Sequence, residues 1–234
     1  MRKDIAIITA RGGSKRIPKK NLKPFLGIPI IDYSIKAALE SGLFSQVIVS
    51  TDSEEIANHA IDVGASVPFM RSAKNSDDHA TTSEVLVEVN EVLMSSGFEY
   101  DYFCCIYPTA PFVDASVLHR AKQILITANA DSVVPIVKFS FPPQRALVKN
   151  GNRISYEFPQ YSQMRSQDLS PIYHDCGQFY YCNRASFDMH HNTIMPNSVG
   201  IEISELCCQD IDNESDWRIA EMKYRVASEI GCGY

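Results

Sequence analysis

Short apolar runs alternate with helical periods along the first 137 residues of the chain. Continuous apolar runs predict buried strands, whereas apolar residues three and four positions apart predict one-faced helices. Strands are predicted at residues 5–10, 47–49, 102–107 and 133–137. Helices are predicted between them at residues 29–41, 53–63, 85–93 and 117–125. This alternation predicts an α/β fold, with a mostly parallel twisted sheet and helices on both faces.

The alternation breaks at residues 138–176, a stretch with four prolines and no helical period. Asn-Gly-Asn at 150–152, between β-prone flanks, predicts a hairpin. The stretch is rich in Phe, Tyr and Arg, unlike a flexible linker, so we interpret it as an arm inserted into one domain that spans residues 1–234. Strands at 178–182 and 200–203 and a helix over about 215–226 complete the prediction.

The composition narrows the class of protein. A chain of 234 residues with 45% hydrophobic and 21% charged residues is ordinary for one globular domain with a full-sized core. A net charge of −6 argues against a general nucleic-acid surface. No run of about eighteen apolar residues is present, so no membrane span is expected. The seven cysteines, odd in number and without a CxxC pair, are expected to be reduced thiols of a cytoplasmic protein.

The turn after the first predicted strand carries the strongest chemical signal. Residues 9–21 read TARGGSKRIPKKN, and residues 11–23 hold six cations and no acid. Gly12 and Gly13 remove side-chain bulk from the turn, so that backbone N–H groups could surround an anion. The turn lacks both the P-loop pattern and the GxGxxG pattern. We interpret it as a polyphosphate-binding loop, and the alternative is a solvated basic loop.

A pair of acidic residues near the C-terminal end supplies the second signal. In an extended Asp210-Ile211-Asp212 segment, the two carboxylates face the same side and could bind one cation. Oxygen ligands beside bound phosphates suit Mg²⁺, which commonly takes one or two carboxylates. The alternative is that Asp212 only caps the helix that follows.

Three arginines and one histidine are further candidates for binding or catalytic residues. Arg71 could contact a nucleotide base or phosphate, or could be solvated. Arg145 and Arg165 lie in the predicted arm, and a bidentate arginine is suited to bind a substrate carboxylate. The alternative for Arg165 is a salt bridge within the arm or across a subunit contact. His174, beside Asp175, is more typical of a structural hydrogen-bonded pair than of a base.

Taken together, ARGGSKRIPKKN, VSTD, Arg71, PTAP at 108–111 and the Asp210/Asp212 pair resemble the cytidylyltransferases that activate nonulosonic acids, the CMP-N-acylneuraminate synthetases and their relatives. The resemblance covers nearly the entire chain. Sialic acid synthetases usually have PTSPLR where this chain has PTAPF, and Asn-Gly where it has CG. The segments PPQRAL, RSQDL and YHDCGQFYY are most similar to the branch that uses pseudaminic acid, a diacetamido nine-carbon sugar acid.

The resemblance implies a Rossmann-like nucleotidyltransferase that transfers CMP from CTP to the anomeric hydroxyl of a nonulosonic acid, with Mg²⁺ as cofactor. Its triphosphate loop corresponds to Arg11, Gly12, Gly13, Ser14, Lys15 and Lys20, and its cytidine contacts to Asn21 and Arg71. Its metal ligands correspond to Asp210 and Asp212, and Arg11, Lys15, Lys20 and Asp210 are the expected catalytic residues. Its sugar-acid contacts correspond to Arg145, Arg165 and Gln178.

In that family the segment 138–176 is a dimerisation arm, and the residue matching Arg145 can reach the neighbouring subunit's site. The aromatic residues of the arm would be poorly covered in a monomer, which also predicts a homodimer. The arginine that usually follows PTSPL is absent, since Val113 follows Phe112. Two other classes remain open at this point: a DxD metal-dependent glycosyltransferase and a non-catalytic nucleotide-binding module.

Overall fold

The computed structural model describes residues 3–230. Most of its helices and strands build one central sheet and the layers that cover it. The strands are β1 Asp4–Thr9, β2 Pro24–Phe25, β3 Ile28–Pro29, β4 Gln46–Ser50, β5 Tyr102–Ile106, β6 Ser132–Lys138, β7 Leu147–Asn150, β8 Arg153–Tyr156, β9 Tyr173–Asp175, β10 Phe179–Asn183 and β11 Ser198–Glu202. The α-helices are α1 Ile30–Ser41, α2 Glu54–Asp62, α3 Thr82–Ser95, α4 Ala115–Thr127, α5 Arg184–His190 and α6 Glu214–Ile230.

The central sheet has seven strands in the order β11-β6-β10-β5-β1-β4, with β9 paired to β6. β1 is parallel to β4 and to β5, and β6 is parallel to β11. β10 lies antiparallel between β5 and β6, so those two neighbours run in the same direction. The prediction of a mostly parallel sheet is confirmed. The C-terminal ends of β1, β4, β5 and β6 therefore meet along one edge, where ligands of such folds bind.

Helices cover both faces of this sheet, as the sequence pattern predicts. Alternate residues of β1 enter different cores: Ala6 and Ile8 pack in one cluster, and Ile5 and Ile7 in the other. The first cluster also contains apolar residues of α1, α2, α4 and α6, and the second contains those of α3 and α5. Because side chains alternate along a strand, a buried strand of continuous apolar residues supplies both layers at once.

Local signals set the ends of the predicted helices. The Ser53 side chain accepts a hydrogen bond from the backbone N–H of Ile56 at the start of α2. Gly42, in the left-handed conformation with φ 61°, ends α1. Helix α5 was not predicted. Its seven residues are too few for a clear helical period, although Asn183 caps it.

The arm predicted at 138–176 begins and ends within the main sheet, since Lys138 closes β6 and β9 returns to pair with it. Between these points, β7 and β8 form a separate two-stranded ribbon, with Gly151 at φ 61° in its turn. The predicted hairpin is therefore confirmed. Large apolar side chains of the ribbon and its flanks are exposed: Phe141 is 88% exposed and Ile154 is 68% exposed.

Two further expectations concern cysteines and membranes. Cys104, Cys105, Cys176, Cys182 and Cys208 carry free, buried thiols, as expected. Cys207 is disulfide-bonded, so the expectation of reduced thiols throughout is wrong at this position. No helix between residues 3 and 230 has the length and apolar character needed to cross a bilayer.

Candidate active site

An open cavity of about 400 Å³ lies at the edge of the sheet where β1, β4 and β5 end. A volume of this size is in the range of small-ligand sites. The loop after β1 contributes Arg11, Ser14, Lys15, Arg16, Lys20 and Asn21 to its lining. Other segments contribute Arg71, Asp78, Thr82, Tyr107, Thr109 and Asp212. Positive charge is thus concentrated on one side of a cavity in a chain whose net charge is −6.

The two glycines of the loop have different roles. A Cβ atom at Gly12 would lie 3.0 Å from the Cβ of Ser53, so the close approach of the loop to the start of α2 favours glycine there. A Cβ atom at Gly13 would meet nothing within 4 Å. The Gly12 N–H donates to the Asp52 carboxylate over 2.8 Å, and the Ser14 N–H donates to the Gly12 carbonyl over 3.0 Å. These amides stabilise the turn itself, and the cations line the cavity.

Lys20 joins this loop to the acidic pair. Its Nζ donates a hydrogen bond of 2.8 Å to the carbonyl oxygen of Ile211, the residue between Asp210 and Asp212. Burial lowers the pKa of Lys20, and the charges of Asp212 and Asp210 partly oppose that shift. Burial also raises the pKa of the Asp210 carboxyl, as does the neighbouring Asp212. The first and last chemical signals of the sequence therefore lie in one cleft, 191 positions apart along the chain.

The Asp212 carboxylate lies 2.8 Å from a guanidinium nitrogen of Arg16 and does not cap the helix that follows. Asn213 performs that capping, because its side-chain oxygen accepts from the backbone N–H groups of Ser215 and Asp216. Asp216 in turn accepts from the N–H groups of Asp212 and Asn213. The capping alternative for Asp212 is thus wrong, and its side chain remains available at the cavity.

The donor set around Asp210 and Asp212 fits a hard divalent cation. The two carboxylates lie close together, since the charge of Asp212 helps to raise the pKa of the Asp210 carboxyl. The described residues contain no cluster of three or more acidic, histidine or cysteine side chains suited to a metal. Two carboxylates beside a cationic cavity match the way Mg²⁺ binds, with phosphate oxygens and water completing its shell.

Asp78 is a cavity residue that the sequence analysis missed. Its carboxylate accepts a hydrogen bond of 2.8 Å from Arg11 and contacts the ammonium group of Lys15. Arg11 also donates to the backbone carbonyl of Asp77 over 3.0 Å. The hydrogen bonds from Lys15 and Arg11 lower the pKa of Asp78. The charges of Arg11 and Lys15 are therefore both paired with one carboxylate of the same chain.

Asn21 and Arg71 are buried polar residues of the cavity lining. Asn21 is buried, and its amide nitrogen donates to the carbonyl of Arg11 over 2.9 Å. Arg71 is only 7% exposed, and its guanidinium donates to the side chain and the carbonyl of Ser50. Burial lowers the pKa of Arg71. Among the described residues, no carboxylate forms a salt bridge with this guanidinium, so its charge is directed to neutral acceptors and to the cavity.

The three predicted sugar-acid contacts are not brought to this cavity within one chain. Arg165 forms a salt bridge of 3.0 Å with Asp168 inside the arm. Arg145 donates to the Ser166 hydroxyl over 3.3 Å, and its buried Nε has no partner. Gln178 is 2% exposed and donates to the carbonyl of Cys207 over 2.6 Å, with its side-chain oxygen unpartnered. The chain by itself therefore does not bring these residues to the loop after β1.

Comparison with known proteins identifies the family. The family model described as cytidylyltransferase matches residues 5–224. The chain belongs to the cytidylyltransferase family. A pseudaminic acid cytidylyltransferase of Campylobacter jejuni subsp. jejuni is 39% identical over 228 residues, which cover 97% of this chain and 98% of that protein. A CMP-N,N'-diacetyllegionaminic acid synthase of Legionella pneumophila is 30% identical, covering 93% and 94% of the two chains.

A solved structure of a CMP:2-keto-3-deoxy-manno-octonic acid synthetase complexed with CTP has the same fold, with a TM-score of 0.69 at 18% identity, covering 97% of this chain and 99% of that one. Family membership confirms the resemblance inferred from the loop and the acidic pair. The chain is a cytidylyltransferase, so the glycosyltransferase and the non-catalytic binding module no longer stand as alternatives.

Proposed function

We propose that this cytidylyltransferase transfers CMP from CTP to the anomeric hydroxyl of pseudaminic acid, releasing pyrophosphate. The contact between Lys20 and the Ile211 carbonyl is the observation that supports the proposal best, because it joins the cationic loop to the segment that carries Asp210 and Asp212. Lys20 and Asp212 also line the same cavity. Two pseudaminic acid cytidylyltransferases of Campylobacter jejuni, 39% and 38% identical over 228 residues, support the choice of sugar acid.

CTP would bind with its triphosphate along the loop and its base against the buried side chains of Asn21 and Arg71. Arg11, Lys15 and Lys20 would neutralise the phosphates. The buried guanidinium of Arg71 and the amide of Asn21 would contact the cytidine, where donors fixed by burial recognise ring acceptors. Binding the triphosphate requires Arg11 and Lys15 to exchange the Asp78 carboxylate for phosphate oxygens.

In the reaction, the anomeric hydroxyl oxygen attacks the α-phosphorus and loses its proton, and the bond from the α-phosphorus to the bridging oxygen breaks. Negative charge grows on that bridging oxygen as pyrophosphate leaves. Lys15 and Lys20 are the groups of this chain that we assign to that charge. Fixed cationic donors in a partly desolvated site stabilise such charge without reorganising in the transition state.

Asp210 and Asp212 would hold Mg²⁺ beside the phosphates, with Arg16 orienting Asp212. When bound, the ion neutralises phosphate charge and draws the oxygens of the triphosphate into one arrangement. The raised pKa of Asp210 means that this carboxyl loses its proton at a higher pH than an ordinary aspartate, so metal binding weakens as the pH falls through that value.

We further propose a homodimer joined through the arm. The exposed apolar side chains of β7, β8 and their flanks form a surface that a second copy of the chain would bury. Arg145 and Arg165 would then serve the sugar-acid side of the site, with Arg145 acting on the partner's cavity. Most of the described cysteines are free, buried thiols, although Cys207 is disulfide-bonded. These thiols and the nucleotide substrate suit a cytoplasmic enzyme.

A pyrophosphate-release assay with CTP, Mg²⁺ and a panel of sugar acids tests the proposal. The panel contains pseudaminic, N-acetylneuraminic, legionaminic and 3-deoxy-octulosonic acids. We expect pseudaminic acid to have the highest kcat/KM. A higher kcat/KM for another acid would overturn the choice of substrate, and no release with any acid would overturn the proposed transfer.

A further inference from the structure

The last cation of the loop at residues 11–23 forms an ion pair outside the cavity. The Nζ atom of Lys23 lies 2.6 and 2.7 Å from the two carboxylate oxygens of Glu214, the first residue of α6. The same ammonium group lies 4.6 Å from the centre of the Trp217 ring, and the Lys23 side chain is 28% exposed. Neither Lys23 nor Glu214 lines the cavity. The pair therefore joins the loop to the start of α6 without occupying the site.

Two other cations of the same loop contact the residues that precede α6. The Arg16 guanidinium lies 2.8 Å from the Asp212 carboxylate, and Lys20 donates to the Ile211 carbonyl over 2.8 Å. Both contacts lie at the cavity, where Lys20 is assigned to the phosphates and Asp212 to the metal, so binding of the nucleotide and the ion changes both. The ion pair outside the cavity has no such competitor. It is the contact that can hold the loop against this segment in the free and in the bound chain.

The first turn of α6 fixes the position of Asp212. The Asp216 carboxylate accepts hydrogen bonds from the backbone N–H groups of Asp212 and Asn213, over 2.9 and 3.0 Å. The Asn213 side chain in turn accepts from the N–H group of Asp216 over 3.1 Å. Asp212 is therefore attached to the same turn that carries Glu214. A shift of this turn away from the loop would move the Asp212 carboxylate with it.

We propose that Lys23 and Glu214 are positioning residues for the metal site: their ion pair holds the first turn of α6, and with it Asp212, at a fixed distance from the phosphate-binding loop. This inference rests on the proposed role of Asp210 and Asp212 in holding a divalent cation, and it adds the contact that places them. Ligand side chains that are held in place before the ion arrives bind it more tightly, because less ordering is needed on binding.

Lys23→Met is the decisive variant, because an effect of charge and an effect of position have opposite signs. Removing a nearby cation would, by charge alone, strengthen the binding of a divalent cation. Losing the ion pair would instead let the first turn of α6 move away from the loop, which weakens that binding. Methionine is unbranched and flexible, so it can keep an apolar contact with the Trp217 ring.

The measurement is calorimetric titration of CTP into the full chain, once with Mg²⁺ and once with EDTA. The Kd in EDTA divided by the Kd with Mg²⁺ is the gain in affinity that the metal supplies, and no sugar acid is needed. We expect Lys23→Met to reduce this gain about threefold, which is typical of the loss of a partly exposed ion pair. A gain that is unchanged, or larger than that of the native chain, would overturn the inference.

Lys19→Met is the matched control. Lys19 lies in the same loop and pairs with both carboxylate oxygens of Glu55 at 2.8 Å, but Glu55 belongs to α2. This variant removes the same charge and a comparable ion pair, so the gain from Mg²⁺ should not fall below the native value. A reduction as large as that of Lys23→Met would show a general effect of the loop and would overturn the inference.

Two further variants separate this inference from the proposed metal site. Asp210→Ala should remove most of the gain from Mg²⁺, and an unchanged gain would overturn the metal assignment and the inference together. A reduced gain in Asp210→Ala with an unchanged gain in Lys23→Met would overturn the inference alone. Adding Glu214→Gln to Lys23→Met should change the gain less than about twofold, because the two residues act as one pair. A larger further loss would contradict their action as a pair.

Discussion

The loop at residues 11–23 and the arm at residues 138–176 both carry predicted site residues, but the two segments make different contacts with the rest of the chain. The loop leaves the end of a buried central strand and meets the acidic pair within the same chain, through Lys20 and Ile211. The arm leaves the sheet as an exposed ribbon, and within the described part of the chain its Arg165 forms a salt bridge only with Asp168 of the same segment. Residues at the end of a buried strand are thus brought together with residues far away in the sequence. Residues on an exposed arm contact only their own segment unless another chain packs against it.

The loop side of this comparison is tested most strongly by Lys20→Ala. Lys20 is partly buried against the acidic pair, so we expect kcat to fall about 10²-fold or more when its charge is removed. Lys19→Ala is the matched control, because its ammonium group pairs with Glu55 instead of lining the cavity. Pyrophosphate release under saturating CTP measures both. A loss under threefold for Lys20→Ala would remove its assigned role.

Asp210→Ala should lower Mg²⁺-dependent turnover about 10²-fold with the fold intact, since it removes one of two carboxylates assigned to the metal. Asp216→Ala tests the neighbouring cap instead, because Asp216 accepts from the N–H groups of Asp212 and Asn213. It should lower stability by about 1 kcal/mol and leave kcat within a few-fold. Full activity of Asp210→Ala across a Mg²⁺ titration would contradict the metal assignment.

The arm side is tested by Arg145→Ala, which should raise the KM for the sugar acid about tenfold if Arg145 contacts its carboxylate. Arg153→Ala, on the exposed ribbon strand β8, is the charge-matched control.

Light scattering of the native chain should give the mass of two subunits. A mass of one subunit in dilute buffer would contradict the proposed dimer.

Mixed dimers decide whether the arm acts on its own or its partner's cavity. The assay uses a sugar-acid concentration well below the KM, where sites with either substitution are slow. Coexpressed Lys20→Ala and Arg145→Ala subunits should then recover about a quarter of native activity if Arg145 acts on the partner, because half of the dimers contain one complete site. If Arg145 acts on its own chain, every site of a mixed dimer lacks one residue. No recovery in purified mixed dimers would therefore contradict action across the interface.

The smallest effect is expected for Asp78→Asn, which removes the internal anion of the loop cations. Arg11 and Lys15 would no longer exchange a full carboxylate for phosphate, so the KM for CTP should fall about threefold. Asp62→Asn, at the exposed end of α2, controls for the change in net charge. The KM is measured at low ionic strength, and an increase would show that Asp78 supports the bound state.

The sequence was sufficient to predict the parallel sheet, the two helical layers and the meeting of the loop with the acidic pair. The sheet and its layers follow from local periodicity and from the rule that parallel strands end at one edge. The meeting of the loop with the acidic pair was expected from the residue types of the two segments and from the family resemblance. Asp78 was not predictable, since the polar segment between Arg71 and α3 has no period and its carboxylate is located by tertiary contacts. Tyr107, another residue of the cavity lining, was not predicted either, since its contact with the ring of Tyr180 depends on β10 lying antiparallel beside β5.

The N-terminal cap of α6 is a feature that the sequence could place but could not assign to one residue. Asp212, Asn213, Ser215 and Asp216 are all residue types that cap helices, so the sequence could not assign the cap to one of them. In the structure, Asn213 and Asp216 cap the helix, and the Asp212 carboxylate forms a salt bridge with Arg16. Which of these residues forms the cap depends on the local backbone conformation, and the residue types alone do not predict that conformation.

The most direct test of the account is a crystal structure of the chain with CTP and Mn²⁺, using the anomalous signal of the metal. The account predicts a peak about 2.0–2.3 Å from oxygens of Asp210 or Asp212 and of the triphosphate, with Lys20 on the phosphates. A nucleotide bound away from Lys20, or a metal that contacts the triphosphate and neither aspartate, would contradict it.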